Sequence, residues 1–141
     1  MFRETDCSHF WLIDADVTPP VHALVSMLRA DVDVIAADVK VMKLDSDRVE
    51  KPARMLMTGR NGRYYEQSGY GVKRIDRAGF GCVMIRRSVF DAIPFPWFEE
   101  RPWGAVRGTD FIFCEKMEQA SIPLHGHFDV VCSNRVEVEL G

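Results

Sequence analysis

The sequence predicts an α/β domain, with a mixed, mainly parallel sheet flanked by helices. Three observations carry that expectation. An apolar run, Phe10-Trp11-Leu12-Ile13, ends in two carboxylates, Asp14 and Asp16. A short apolar run bounded by polar residues reads as a strand buried on both faces, as in parallel sheets. Val21, Leu24, Val25 and Leu28 then recur at i, i+3, i+4 and i+7, the period of an amphipathic helix. Residues 33–42 follow, β-branched and apolar at their start and alternating at their end, which reads as a second strand. Strand, helix and strand in this order make a βαβ unit, with parallel strands joined by a right-handed crossover.

The elements follow in order. Residues 1–8 read as the polar end of a helix or a loop. A strand covers 10–14, a helix 19–30 and a strand 33–42. Residues 43–62 are charged and carry Pro52, Gly59 and Asn61-Gly62, the marks of a loop excursion. Residues 64–67 and 72–77 read as short strands around the Gly69-Tyr70-Gly71 turn. Residues 82–86 form a strand preceded by Gly79-Phe80-Gly81. A short helix covers 88–93 and is ended by Pro94. Residues 95–98 are an aromatic segment stiffened by Pro96, and 99–108 are loop. A helix covers 109–120, with Phe113, Met117 and Ala120 on one face. Residues 130–132 and 136–140 read as short closing strands.

Bulk properties set the frame. With 141 residues, 47% of them apolar and 28% charged, the chain reads as one domain, 1–141, with a sizeable core. A net charge of −3 argues against nucleic acid as a partner, because phosphate binding needs a basic footprint. No apolar run approaches a membrane span, and the N-terminus lacks a signal-peptide pattern. Cys7, Cys82, Cys114 and Cys132 are scattered without a C-x-x-C pair. They read as small buried groups in a reducing compartment, so the expected location is cytoplasmic.

Asp14 and Asp16 stand at the carboxyl end of the first strand, where ligands bind in parallel sheets. If the backbone stays extended, side chains two apart point the same way, and two adjacent carboxylates repel unless a cation joins them. Oxygen ligands suit Mg²⁺, Mn²⁺ or Ca²⁺. The competing role is structural, with Asp16 or Thr18 capping a helix opened by Pro19 and Pro20.

Other candidates carry the same duality. Gly79 and Gly81 allow close approach of a ligand, or a bulge and tight packing. Asp110, after Gly108-Thr109, either satisfies the first turn of its helix or acts as a general base on a hydroxyl. Trp97, Phe98 and Trp103 offer faces for a sugar or base, or form a satellite hydrophobic cluster. His125 and His127, separated by one residue, would share a face if on a strand, and read as metal ligands or as core or exposed histidines. Arg60, Arg63, Arg74 and Arg77 meet a diphosphate or form a solvated face.

Taken in order, these pieces resemble the second half of a family 2 glycosyltransferase of the GT-A type, from about Phe10 to Asn134. Phe10 to Val17 is similar to that family's D-x-D strand end. Residues 79–90 are similar to its glycine-bearing strand and short helix. Pro96-Trp97-Phe98 followed by Gly108-Thr109-Asp110 is similar to its G-E-D helix start. The resemblance implies a partial GT-A fold, incomplete at its N-terminus because the family's first βαβ segments have no counterpart. It implies that Asp14 and Asp16 hold Mn²⁺ or Mg²⁺ on the donor's diphosphate, that Asp14, Gly79, Gly81, Trp97 and Thr109 bind substrate, and that Asp110 is the catalytic base. Asn134 falls near a family metal-site histidine, and Thr109 stands where the family has glutamate. The implied activity is metal-dependent, inverting transfer of a sugar from a nucleotide-diphosphate donor to the hydroxyl of a glycan, lipid or protein. The alternative is a non-catalytic remnant that binds a sugar, a metal or a protein. The missing strands also imply an exposed sheet edge, covered by a partner chain or by self-association.

Overall fold

The computed structural model describes residues 5–44, 50–99 and 108–134. The elements are β1 (His9–Ile13), β2 (Val17–Thr18), α1 (Ala23–Arg29), β3 (Val34–Leu44), β4 (Glu50–Arg54), β5 (Leu56–Arg60), β6 (Arg63–Glu66), β7 (Val72–Ile75), β8 (Arg77–Ala78), β9 (Cys82–Arg86), α2 (Arg87–Ala92), α3 (Thr109–Gln119) and β10 (Leu124–Asn134). The fold is mostly β, because the helices have only seven, six and eleven residues.

The larger sheet runs β1-β9-β3-β10-β2, with β4 also paired to β3 and β7 to β10. Among the described residues only β3·β10 is parallel. The pairs β1·β9, β10·β2, β10·β7, β3·β4 and β3·β9 are all antiparallel. A smaller antiparallel sheet runs β6-β5-β8. The expected helix-flanked, mainly parallel sheet is therefore wrong. β1 and β3, the two strands of the expected βαβ unit, are separated by β9, which is antiparallel to both.

The reason lies in how β1 is covered. It ends the strand order, and each of its residues is half-buried. Its two faces meet two different cores. Phe10 and Leu12 pack against a cluster that includes Phe80, Phe90 and Phe113. Trp11 and Ile13 pack against a cluster that includes Ala23, Met27, Val39 and Cys132. Burial on both faces makes a strand continuously apolar whether its neighbours are parallel or antiparallel. The run could not report direction or rank in the sheet.

Three further expectations change. α1 begins at Ala23 and buries Ala23 and Met27, whereas Val21, Leu24, Val25 and Leu28 are exposed, each at 43% or more. The expected apolar face thus looks outward. The described part of 43–62 is largely strand. β3 continues to Leu44 and pairs with β4, and Asn61 and Gly62 take φ of 55° and 80° between Arg60 and its partner Arg63. A two-residue turn with both φ positive matches the twist of a hairpin, and Asn-Gly is its preferred pair. β10 runs through Leu124–Asn134 beside β3, far longer than expected. Gly126 permits it, since a Cβ there would lie 3.0 Å from Leu56 Cδ1 and 3.2 Å from Ile75 Cδ1. The expected strand 136–140, Trp103 and most of the loop 99–108 lie outside the described residues.

Candidate functional site

The acidic pair sits on a turn, not on an extended strand end. The Asp14 N–H donates to Gly81 O at 2.9 Å, one step past the Ile13–Cys82 pairing. The Val17 N–H then donates to Asp14 O at 3.0 Å and closes the turn. Val17 is buried and pairs with Asn134, so the turn is pinned to the end of β10. Gly81 makes room for it. A Cβ there would stand 3.3 Å from Val17 Cγ2 and 3.4 Å from Val39 Cγ1. The glycine thus serves close packing behind the site. The capping role does not apply, because His22 is the N-cap of α1 and no side chain caps that helix.

Asp110 arrives from the start of α3. Gly108 is the N-cap, and its carbonyl accepts the N–H groups of Phe111 and Ile112. The Asp110 carboxylate reaches beyond its own helix. Its Oδ2 accepts the Phe80 N–H at 3.0 Å, and Thr109 Oγ1 donates to Oδ1 at 3.3 Å. The Phe80 ring meets Phe113 of α3 edge to face at 5.4 Å. One hydrogen bond and one ring contact therefore fasten the helix start to the segment between the two glycines.

The result is a cavity of about 210 Å³ lined by Asp14, Asp16, Asp110 and Asn134, backed by Gly79, Phe80 and Gly81. Burial, then the neighbouring charges of Asp16 and Asp110, push the Asp14 carboxyl above the usual carboxylate range. Asn134 Oδ1 is buried and has no hydrogen-bond partner among the described residues. These oxygens fit a hard cation. Among the described residues no group of three or more His, Cys, Asp or Glu side chains could hold a metal ion.

The other expected residues are spread more widely. Thr109 touches the site through Asp110 alone among its described contacts. Trp97 donates to Phe90 O at 3.0 Å and packs edge to face on Phe90 and Phe95, in a hydrophobic cluster and not in the cavity lining. His125 and His127 lie on β10 opposite Ile35 and Ala37, and burial lowers both imidazoles below the ordinary histidine range. Arg60, Arg74 and Arg77 line a different cavity of about 320 Å³, where Arg77 pairs with Glu118 at 2.9 Å.

Sequence reasoning missed a second cavity, of about 420 Å³, that shares Met55 and Asp110 with the first. Met57, Gly62, Tyr64 and Phe111 complete its described wall together with Gly108. The signal available was Asn61-Gly62, which read as a hairpin turn would have raised Tyr64 beside the helix start.

Fold and site together define a mostly β domain with an acidic, oxygen-rich cavity at the meeting of β1, β10 and α3. No protein-family model matches the sequence, and no curated protein matches it. Among solved structures the chain is similar to A197 from STIV, with a TM-score of 0.62 and 13% identity over 96% of this chain and 61% of that one. The chain thus spans about three-fifths of that structure, and identity this low shows shared fold alone. The resemblance to family 2 glycosyltransferases of the GT-A type is not upheld. The comparisons give only a structural neighbour, the sheet is not the helix-flanked parallel one, and among the described residues no three His, Cys, Asp or Glu side chains form a group that could hold a metal ion. No described helix is long and apolar enough to cross a membrane.

Proposed function

We propose that the protein is a divalent-cation-dependent transferase that moves a glycosyl group from a nucleotide-diphosphate donor to an acceptor hydroxyl. One observation carries this reading. Three carboxylates and an orphaned amide oxygen, drawn from chain positions more than a hundred residues apart, line one small cavity. The neighbouring charges raise the Asp14 carboxyl, and a cation arriving with a diphosphate would relieve that repulsion. Asp14 and Asp16, with Asn134, would hold Mn²⁺ or Mg²⁺, which when bound would stabilise negative charge developing on the leaving diphosphate.

Asp110 has the other role. Its Oδ2 is oriented by the Phe80 N–H, and it is the one carboxylate common to both cavities. A carboxylate so placed takes the proton of an acceptor hydroxyl as that oxygen attacks, typically worth about 10²–10⁴-fold in rate. With Asp110 as base and Asp14 and Asp16 on the cation side, the proposed transfer is a single displacement with inversion, in which the acceptor oxygen bonds the sugar carbon as its bond to the diphosphate breaks. Three buried free thiols, Cys82, Cys114 and Cys132, favour a cytoplasmic setting.

The test is turnover of a panel of sugar nucleotides with Mn²⁺ in the wild type, Asp16→Ala and Asp110→Asn. The reading expects release of intact nucleoside diphosphate, lowered by about 10² or more in both variants. Equal rates in all three proteins remove it, and release of nucleoside monophosphate would mean a different reaction. The sparse set of ligand side chains favours a second reading, binding of a cation–diphosphate without turnover. Saturable binding with no product after prolonged incubation identifies that case.

A further inference from the structure

We infer that the second cavity is a saccharide subsite, so that the acceptor is a glycan and not a lipid or a protein side chain. This rests on the transferase reading above and extends it to the substrate. The cavity of about 420 Å³ lies within the range of small-ligand pockets and opens onto the same Asp110 carboxylate as the acidic cavity. A hydroxyl held there is held beside the proposed base.

The wall is suited to a hydroxylated ring. Tyr64 and Phe111 meet at 6.0 Å with their planes 73° apart, forming an aromatic corner. The negative faces of such rings attract the polarised C–H groups of a sugar. Tyr64 is fixed in place, since the Arg77 guanidinium lies 4.9 Å from its ring centre. Arg77 is itself buried, and is held by Glu118 at 2.9 Å and by the Asp76 carbonyl at 2.7 Å. With one face of Tyr64 occupied by Arg77, its remaining surface is what the cavity offers. Met55 and Met57 add apolar wall that adapts to an irregular ring. A lipid would find a charged carboxylate in its way, and burying it unpaired is costly. A pyranoside presents hydroxyls to that carboxylate and C–H groups to the aromatic corner, so both halves of the wall are used.

Saturation-transfer NMR on the full chain tests this, with methyl glycosides of glucose, galactose, mannose and N-acetylglucosamine as probes and cyclohexanol as control. The expected result is transfer to at least one glycoside and little to cyclohexanol. Tyr64→Leu, which keeps apolar bulk, weakens that binding by at least about tenfold, equivalent to about 1.4 kcal/mol. Tyr70→Leu, at an exposed tyrosine that lines neither cavity, leaves it unchanged. Amide shifts on titration fall on Met57, Gly62, Tyr64 and Phe111, a readout independent of whether the variant folds well. No glycoside signal, an equal cyclohexanol signal, or shifts confined to other surfaces overturns the inference. Mn²⁺ binding measured on the same samples keeps the two readings apart. In the wild type, Mn²⁺ binding without any glycoside signal refutes the subsite alone, and a glycoside signal without Mn²⁺ binding refutes the cation site alone.

Discussion

Replacing Asp110 separates its structural role from its chemical one. Asp110 Oδ2 accepts the N–H of Phe80, a residue only 2% exposed, at 3.0 Å. Asp110→Ala removes that acceptor and leaves a buried N–H without a partner, which costs about 1–3 kcal/mol. For a chain between the small and mid-sized domain ranges, each kcal/mol lowers Tm by roughly 3–4 °C, so the loss is about 3–12 °C. Relief of repulsion against Asp14 offsets part of this, since Asp110 helps raise the Asp14 carboxyl. Asp110→Asn keeps an oxygen that accepts the same N–H and forfeits only the charge-assisted share, about 1 kcal/mol or less. Both variants lose the base. The assay pairs thermal unfolding by circular dichroism with turnover. The account expects Ala well below Asn in Tm, and both far below wild type in rate. Ala and Asn variants equal in Tm would refute the anchoring role, and an Asn variant with wild-type turnover would refute the base.

Other consequences follow from the same structure. Asp14 has a raised folded-state pKa, so its ionisation opposes folding at neutral pH and the penalty disappears as pH falls through that pKa. Asp14→Asn therefore raises Tm at pH 7.5 and not at pH 3, without added cation; an unchanged difference at the two pH values contradicts this. Arg54→Ala strips the buried Asp38 of its partner at 3.1 Å and costs about 1–3 kcal/mol in urea unfolding at pH 8. Burial already raises the Asp38 carboxyl and Arg54 lowers it, so without Arg54 it protonates more readily and the loss shrinks in acid. Phe113→Ala removes a fully buried ring that meets Phe80, Phe90 and Phe98, at a cost of about 3–5 kcal/mol by the same urea assay.

The site was more legible than the fold. Apolar residues running into Asp14 and Asp16, and an aspartate in the first turn of a later helix, are local patterns that survive any strand order. Asp14, Asp16 and Asp110 line one cavity here. Strand order is not local. Phe10 to Ile13 would look the same in a central parallel strand as at the end of an antiparallel pairing, because two cores flank it. The α1 face was misread because the buried residues of Ala23–Arg29 are Ala23 and Met27, while Leu24, Val25 and Leu28 look outward. β10 escaped notice at His125-Gly126-His127, where a glycine demanded by Leu56 and Ile75 weakens the strand signal. Asn61-Gly62 held the hairpin in plain sight, but the charges around it suggested loop.

The convergence of Asp14, Asp16 and Asn134 on a cation is tested most directly by electron paramagnetic resonance of Mn²⁺ with a nucleoside diphosphate present. The account predicts one saturable protein-bound Mn²⁺ per chain in the wild type, lost in Asp16→Ala and retained in Tyr64→Leu. A wild-type spectrum that remains that of the free Mn²⁺–nucleotide complex, or an Asp16→Ala protein that binds as well as wild type, would contradict it.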